Sequence, residues 1–322
     1  MKRNPRILYI KVSENCNSHC FMCHYAGKKN AYNITMKQYL KMIDYAKKSK
    51  ITIIRFTGGE PLLHKDIINF ISIAKENGLK TSIITNGYLL KLRAKSLVKS
   101  GLDQCIISLD GSTSGVHDEL RNFPGCFDNI MSGISELRKY NPQIMIRVNT
   151  VVSGKNIHDI SNIYKLLLEL NVSQWSIIPV KYKENTWTEE SMTFYNKFIL
   201  DIKNNDDKRL LFLGNSKTFA GITEKEIIDT FQNNMRIKSN KKCSVVDYVR
   251  FYIPEKDLVV PCNCIAHRID DIPVTLIGNM EKDCQNIRDW LHKNSDKCRG
   301  CEPLNTYIND NPKIMFEDEI KY

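Results

Sequence analysis

Short β-branched runs alternate with amphipathic stretches from residue 7 to about residue 180. The runs at 7–13, 51–56, 79–85, 104–109, 144–152 and 173–180 are rich in Ile, Val and Thr, and read as strands. Between them, residues 35–48, 66–77, 89–99, 127–140 and 156–169 carry apolar side chains three and four apart, the period of a helix with one buried face. Strand and helix together recur at roughly 30 residues, the length of a βα unit, so the strands are predicted to be parallel. Six such units wound in one right-handed sense give an α/β fold, a partial (β/α)6 barrel in place of the closed eightfold one. In barrels of this kind the loops after the strands carry the chemistry.

Beyond residue 180 the alternation stops. Residues 184–242 read as a polar, mostly helical connecting region. A small cysteine-rich region then runs from 243 to 322, with strand-like stretches at 248–253 and 258–260 on either side of a turn at Pro254–Asp257. The expected division is therefore 1–183 for the barrel, 184–242 for the connection and 243–322 for an auxiliary region and tail.

Composition changes this picture little. The chain has 322 residues, 42% hydrophobic and 26% charged, as a globular protein does, with no repeat or low-complexity tract. Its start lacks the apolar run of about 7–15 residues of a secretory signal, and no stretch approaches the ~18 apolar residues of a membrane span. A cytoplasmic protein without a membrane partner is expected. In a reducing compartment eleven cysteines, an odd number, read as thiolate ligands before disulfides. The net charge of +11 is spread along helix faces at residues such as Lys37, Lys41, Lys47 and Lys48, so it reads as solvated surface and no nucleic acid is expected.

Cys16, Cys20 and Cys23 form C-x-x-x-C-x-x-C directly after the first strand. Three thiolates in one loop can hold three irons of a cubane and leave the fourth with an open coordination site. Structural zinc is the alternative, with His19 or His24 as the fourth ligand. The triplet, followed by Thr57-Gly58-Gly59-Glu60-Pro61 after the second strand, resembles the radical S-adenosylmethionine (SAM) superfamily. The resemblance covers residues 5–180 and takes in Thr85-Asn86-Gly87, Ser108-Leu109-Asp110-Gly111, Arg147-Val148-Asn149 and Ile178-Pro179, all at one rim.

That resemblance implies a 4Fe-4S cluster on Cys16, Cys20 and Cys23, whose open iron chelates the amino and carboxylate groups of SAM. It implies that Gly58, Gly59 and Glu60 line the amino group and that Asn86 belongs to the cofactor site. Ser108 and Asn149 would meet the ribose or the methionine carboxylate, Arg147 would lie near that carboxylate, and Met22 and Ile178 would pack on the adenine. Met22 stands where the family usually has an aromatic residue; a flexible thioether packs adequately there. The implied activity is reductive cleavage of SAM to a 5′-deoxyadenosyl radical that abstracts hydrogen, fed by a one-electron donor such as flavodoxin or ferredoxin.

Cys243, Cys262, Cys264, Cys284, Cys298 and Cys301 cluster in the last quarter, the final pair with knuckle spacing. With Ile277-Gly278-Asn279-Met280 and Ile287-Arg288-Asp289-Trp290 they resemble the Twitch auxiliary domain, a shortened relative of SPASM; no cysteine follows Cys301. The resemblance implies a second 4Fe-4S cluster on Cys243, Cys262, Cys298 and Cys301, with Cys264 competing for the place of Cys262. Four-cysteine zinc fits the same spacing. Cys284, Cys105 and Cys126 read as structural, although a Cys126 thiol on the rim could also return a hydrogen atom to a substrate radical.

Three substrate readings follow. The first is a small molecule such as a sugar, cyclitol or nucleoside undergoing dehydrogenation or decarboxylation; a single fully ligated auxiliary cluster suits the dehydrogenation, which must dispose of an electron. Maturation of a ribosomally made peptide is disfavoured by the six residues before the first strand and by too few cysteines for a second auxiliary set. A zinc-binding, nucleic-acid-associated protein would need neither the open-site triplet nor the Gly-Gly-Glu-Pro. A molybdenum-cofactor cyclase would be expected to end in a glycine pair, and this chain ends Glu-Ile-Lys-Tyr.

Overall fold

Most strand residues are buried on both faces of one sheet, and the two faces differ in side-chain chemistry. The computed structural model describes residues 6–23, 25, 26, 28, 31–180, 188–204, 210–213 and 249–260. Its elements are β1 (Ile7–Ser13), α1 (Met36–Lys48), β2 (Ile53–Gly58), α2 (Ile67–Glu76), β3 (Lys80–Thr85), α3 (Leu90–Lys99), β4 (Gln104–Ser108), α4 (Ser114–Arg121) and α5 (Cys126–Tyr140). They continue with β5 (Met145–Val152), α6 (Ile160–Glu169), β6 (Gln174–Pro179), α7 (Glu189–Asn204), β7 (Leu211–Leu213), β8 (Val249–Ile253) and β9 (Leu258–Val260).

The strands form one open sheet in the order β7-β6-β5-β4-β3-β2-β1-β8-β9. All neighbours from β7 to β8 are parallel, and β9 returns antiparallel on β8. The six expected strands are present in the expected order, and three more extend the sheet at both edges. β7 has only three residues, too few to show alternation. β8 and β9 read as strands in the sequence, but local pattern carries no sign of their pairing onto β1.

Apolar residues on one face, among them Ile10, Phe56, Ile83, Ile107, Val148 and Trp175, are fully buried and share a core with helix residues such as Tyr39, Phe70, Leu97, Leu137 and Leu167. Each such side chain contributes about 1.5–3 kcal/mol by leaving water. The other face is polar. Tyr9, Arg55, Ser82 and Gln104 are register partners in one row across β1 to β4. Arg55 donates to Tyr9 Oη (2.8 Å), Ser82 Oγ (2.9 Å) and Gln104 Oε1 (3.3 Å), and Gln104 donates on to Gln174 Oε1 of β6 (2.8 Å). This row forms a braced polar floor beneath the strand ends.

Local chemistry sets the helix ends. Thr35 and Gln38 form a reciprocal capping box at the start of α1. α4, which the apolar period did not reveal because it spans only eight residues, begins at Thr113, whose hydroxyl accepts from the Val116 amide, and ends at Asn122 in the left-handed region (φ 45°). No helix among the described residues is long and apolar enough to cross a membrane.

Candidate active site

The loop that holds the cysteine triplet leaves β1 and returns beside it. Its base is pinned where Ile34 donates to the Val12 carbonyl (2.9 Å), Glu14 to that of Tyr32 (2.8 Å), and Ser13 Oγ to Asn33 Oδ1 (2.8 Å). The buried Glu14 carboxylate reinforces this base by accepting from Lys28, Lys11 and the Tyr32 amide. Burial alone would raise its pKa, but these donors outweigh burial and hold it at about 2.

The segment after β2 locks onto the same place. The Gly59 amide donates to the Ser13 carbonyl and the Glu60 amide to that of Asn15, each at 2.7 Å. A Cβ at Gly58 would lie 2.1 Å from Ser13 O, and one at Gly59 2.3 Å from Asn15 O; Gly58 also has φ of 134°. The glycines are therefore required first by backbone packed against backbone, immediately ahead of Cys16.

Glu60 is completely buried. Its Oε1 accepts from the Leu62 amide (2.9 Å) and Thr85 Oγ1 (2.7 Å), and its Oε2 from the Asn86 amide (2.6 Å). Burial pushes its pKa up to about 7 against the pull of those donors and of Arg121. Asn86 in turn donates to Asn17 Oδ1 at 2.8 Å, inside the cysteine loop. The ends of β1, β2 and β3 are thus tied together through one carboxylate and one amide.

Within the loop, the Cys23 amide donates to the Cys20 carbonyl (3.1 Å) and the Tyr25 amide to Cys23 Sγ (3.4 Å). Burial pushes the Cys16 thiol up to about 11, with the charges of Glu60, Cys20 and Cys23 adding to the effect. Met22 lies half-buried in the turn between Cys20 and Cys23. Ser108, Asn149 and Ser176 are register partners across β4, β5 and β6, and Arg147 Nε donates to Asn149 Oδ1 (2.9 Å). Ile178 pairs with Val151 further along β6. Of the expected cofactor residues, Gly58, Gly59, Glu60 and Asn86 meet the cysteine loop by direct contact, while Ser108, Arg147, Asn149 and Ile178 sit on neighbouring strands.

Residues 10–167 match the model of the Radical SAM superfamily. This stretch is a radical SAM domain. The AdoMet-dependent heme synthase of Nitratidesulfovibrio vulgaris is 30% identical over 175 residues, 53% of this chain and 47% of that protein. The probable GTP 3′,8-cyclase of Sulfurisphaera tokodaii is 30% identical over 194 residues, 58% of this chain and 60% of that one. The chain spans about half the length of the heme synthases it matches. Among solved structures, Streptococcus suis SuiB bound to S-adenosylmethionine superposes with a TM-score of 0.64 at 19% identity, covering 94% of this chain and 72% of SuiB. The anSMEcpe protein with bound AdoMet and a Cp18Cys peptide gives 0.57 at 18% identity, covering 80% of this chain and 74% of that one. Likeness at these identities is one of fold.

A radical SAM domain implies one 4Fe-4S cluster and SAM. The donor set fits: three cysteines share one loop whose base and flank are fixed, and N–H groups face two of the sulfurs. Among the described residues no three His, Cys, Asp or Glu side chains converge on a single-ion site. A cubane does not ask for convergence, because each thiolate binds a separate corner iron. The expected auxiliary ligands Cys243, Cys262, Cys298 and Cys301, and the competitor Cys264, lie outside the described residues.

The sequence did not point to Asp110, His117 or Arg121 as part of this site. Asp110 Oδ1 accepts from the Val151 amide (2.8 Å), its amide donates to His117 Nδ1 (3.1 Å), and its Oδ2 lies 2.7 Å from Arg121 Nε. Burial holds the His117 imidazole neutral, with its pKa near 3. Asp110 stood within a quoted strand-end motif, but nothing in the spacing linked it to α4.

Proposed function

We propose that this protein reductively cleaves SAM and uses the resulting radical to abstract hydrogen from a small, oxygen-rich substrate. The observation that carries the reading is the cysteine loop joined to Gly58-Gly59-Glu60 by backbone contact at the rim of a parallel sheet. When bound, a 4Fe-4S cluster with one open iron supplies the electron that splits the SAM sulfonium into methionine and a 5′-deoxyadenosyl radical.

In this reading Cys16, Cys20 and Cys23 hold the cluster. Gly58 and Gly59 set the height of the following segment so that its main chain meets the SAM amino group, and Glu60 serves by bracing that segment to β3. Ser108, Arg147 and Asn149 orient the ribose and methionine carboxylate from adjoining strands, while Met22 and Ile178 contact the adenine. A polar inner face bearing Arg55, Gln104, Arg147 and Gln174 suits a hydroxylated or carboxylated substrate of the sugar, cyclitol or nucleoside kind. The proposal includes a second cluster on Cys243, Cys262, Cys298 and Cys301 that accepts an electron in a dehydrogenation, and a soluble one-electron donor. A peptide substrate is the second reading; SuiB, whose fold this chain shares over 98% of its length, has been solved bound to precursor peptide SuiA.

Anaerobic reconstitution followed by iron and sulfide counting tests the cofactor reading. About eight irons per chain supports two cubanes and about four supports one. Reduction with dithionite in the presence of SAM is expected to give 5′-deoxyadenosine, and Cys16→Ala, Cys20→Ala and Cys23→Ala are each expected to abolish it. Protein that loads only zinc and releases none would overturn the proposal.

A further inference from the structure

Two groups that the cysteine pattern does not foretell flank the Cys20 sulfur. Arg121 Nη1 donates to Cys20 Sγ at 3.8 Å, and Ser18 Oγ lies 2.8 Å from it while also reaching the Arg121 main-chain oxygen at 3.2 Å. Arg121 closes α4 and is only 9% exposed; Asp110, at the end of β4, is fully buried. The Arg121 Nε stands 2.7 Å from Asp110 Oδ2 without a hydrogen aimed along the contact, so the two form an ion pair and not a linear hydrogen bond. The Val151 amide fixes the other Asp110 oxygen. The guanidinium is therefore backed by an anchored carboxylate on one side and presents a terminal N–H to sulfur on the other.

Buried ion pairs are a poor source of stability, because desolvation offsets their attraction. One aimed at a cluster thiolate has another use, since hydrogen bonds to cluster sulfurs set the reduction potential. We propose that Arg121, anchored by Asp110 and joined by Ser18, is a positioning residue that raises the reduction potential of a cluster bound through Cys20. The proposal rests on the reading of Cys20 as a cluster ligand. Ligation removes the thiol proton, after which the sulfur can only accept: Arg121 Nη1 donates to it, and Ser18 can do so by turning its single O–H away from the Arg121 carbonyl. Negative charge on the sulfur grows when one electron enters from the soluble donor, so a cationic N–H stabilises the reduced form more than the oxidised one.

The test is an EPR-monitored redox titration of the reconstituted full chain. Arg121→Gln is expected to lower the one-electron reduction equilibrium about tenfold, a shift of about 59 mV to more negative potential, with Arg121→Lys intermediate. Should Arg121→Gln leave Asp110 unpaired and the protein unfolded, the double variant Asp110→Asn, Arg121→Met removes both buried charges and is expected to show the same direction. In the reduced wild type, the guanidinium N–H is expected to add an exchangeable-proton coupling to those of the Ser18 hydroxyl and the Tyr25 amide, and that added coupling is expected to be lost in the Asp110→Asn, Arg121→Met variant. Variants that load a full cubane with unchanged potential and unchanged proton coupling would overturn the inference and leave the cofactor reading intact. A wild-type chain that binds no iron–sulfur at all would overturn the cofactor reading, and this inference with it.

Discussion

Glu60 combines complete burial with three internal donors, and the balance between them sets a pH dependence. Its ordinary pKa of 4.5 rises to about 7 on folding, so between these values the folded protein keeps a proton that the unfolded chain has released. The stability it contributes is complete below about pH 4.5 and is lost as the pH rises through about 7, by up to about 1.4 kcal/mol per unit. Urea midpoints of cluster-free protein are expected to fall between about pH 5 and about pH 8, and Glu60→Gln is expected to flatten that fall. A variant with the wild-type slope would remove Glu60 as its source. The sequence showed Glu60 as a member of a motif, and it showed the glycines beside it. It could not show that the Gly58 and Gly59 backbones press on Ser13 and Asn15, because that contact joins segments more than forty positions apart and leaves no local pattern.

At the scale of elements, α4 and α5 depend on one another. Asp118 of α4 accepts from the amides of Gly125 (2.6 Å) and Phe127 (2.9 Å), supplying from a neighbouring helix the cap that α5 lacks at its own N-cap residue, Gly125. Asp118→Ala is expected to cost about 1 kcal/mol, and hydrogen exchange should show faster opening at the first turn of α5 than at its last. Equal protection at both ends would argue against the capping role. The long strands and the 10- to 15-residue helices were legible because each repeats its period several times. α4 and β7 were not, being eight and three residues long. The placement of β8 beside β1 was hidden for a different reason: parallel pairing between residues some 240 positions apart is decided by tertiary packing alone.

For the whole molecule, the polar row of Tyr9, Arg55, Ser82, Gln104 and Gln174 crosses the sheet where a hydrophobic layer would have been simpler. Arg55 also sits over the Tyr9 ring, 5.2 Å from its centroid, and Tyr9 stacks on Phe251 of β8 at 4.4 Å. Arg55→Met is expected to destabilise by about 3 kcal/mol, since it strips charged donors from buried acceptors, and Arg55→Lys by less. Equilibrium urea unfolding at constant slope measures both; an Arg55→Met variant as stable as wild type would show that the row is dispensable. The pinned base of the cysteine loop has its own consequence. Because Val12, Ser13 and Glu14 already meet Tyr32, Asn33 and Ile34 through the chain's own amides and side chains, the entropy of closing that loop is spent during folding and not at metal uptake. Under the proposed function, loss of the cluster would then empty a preformed socket while the scaffold stands, and repair would be a local refilling.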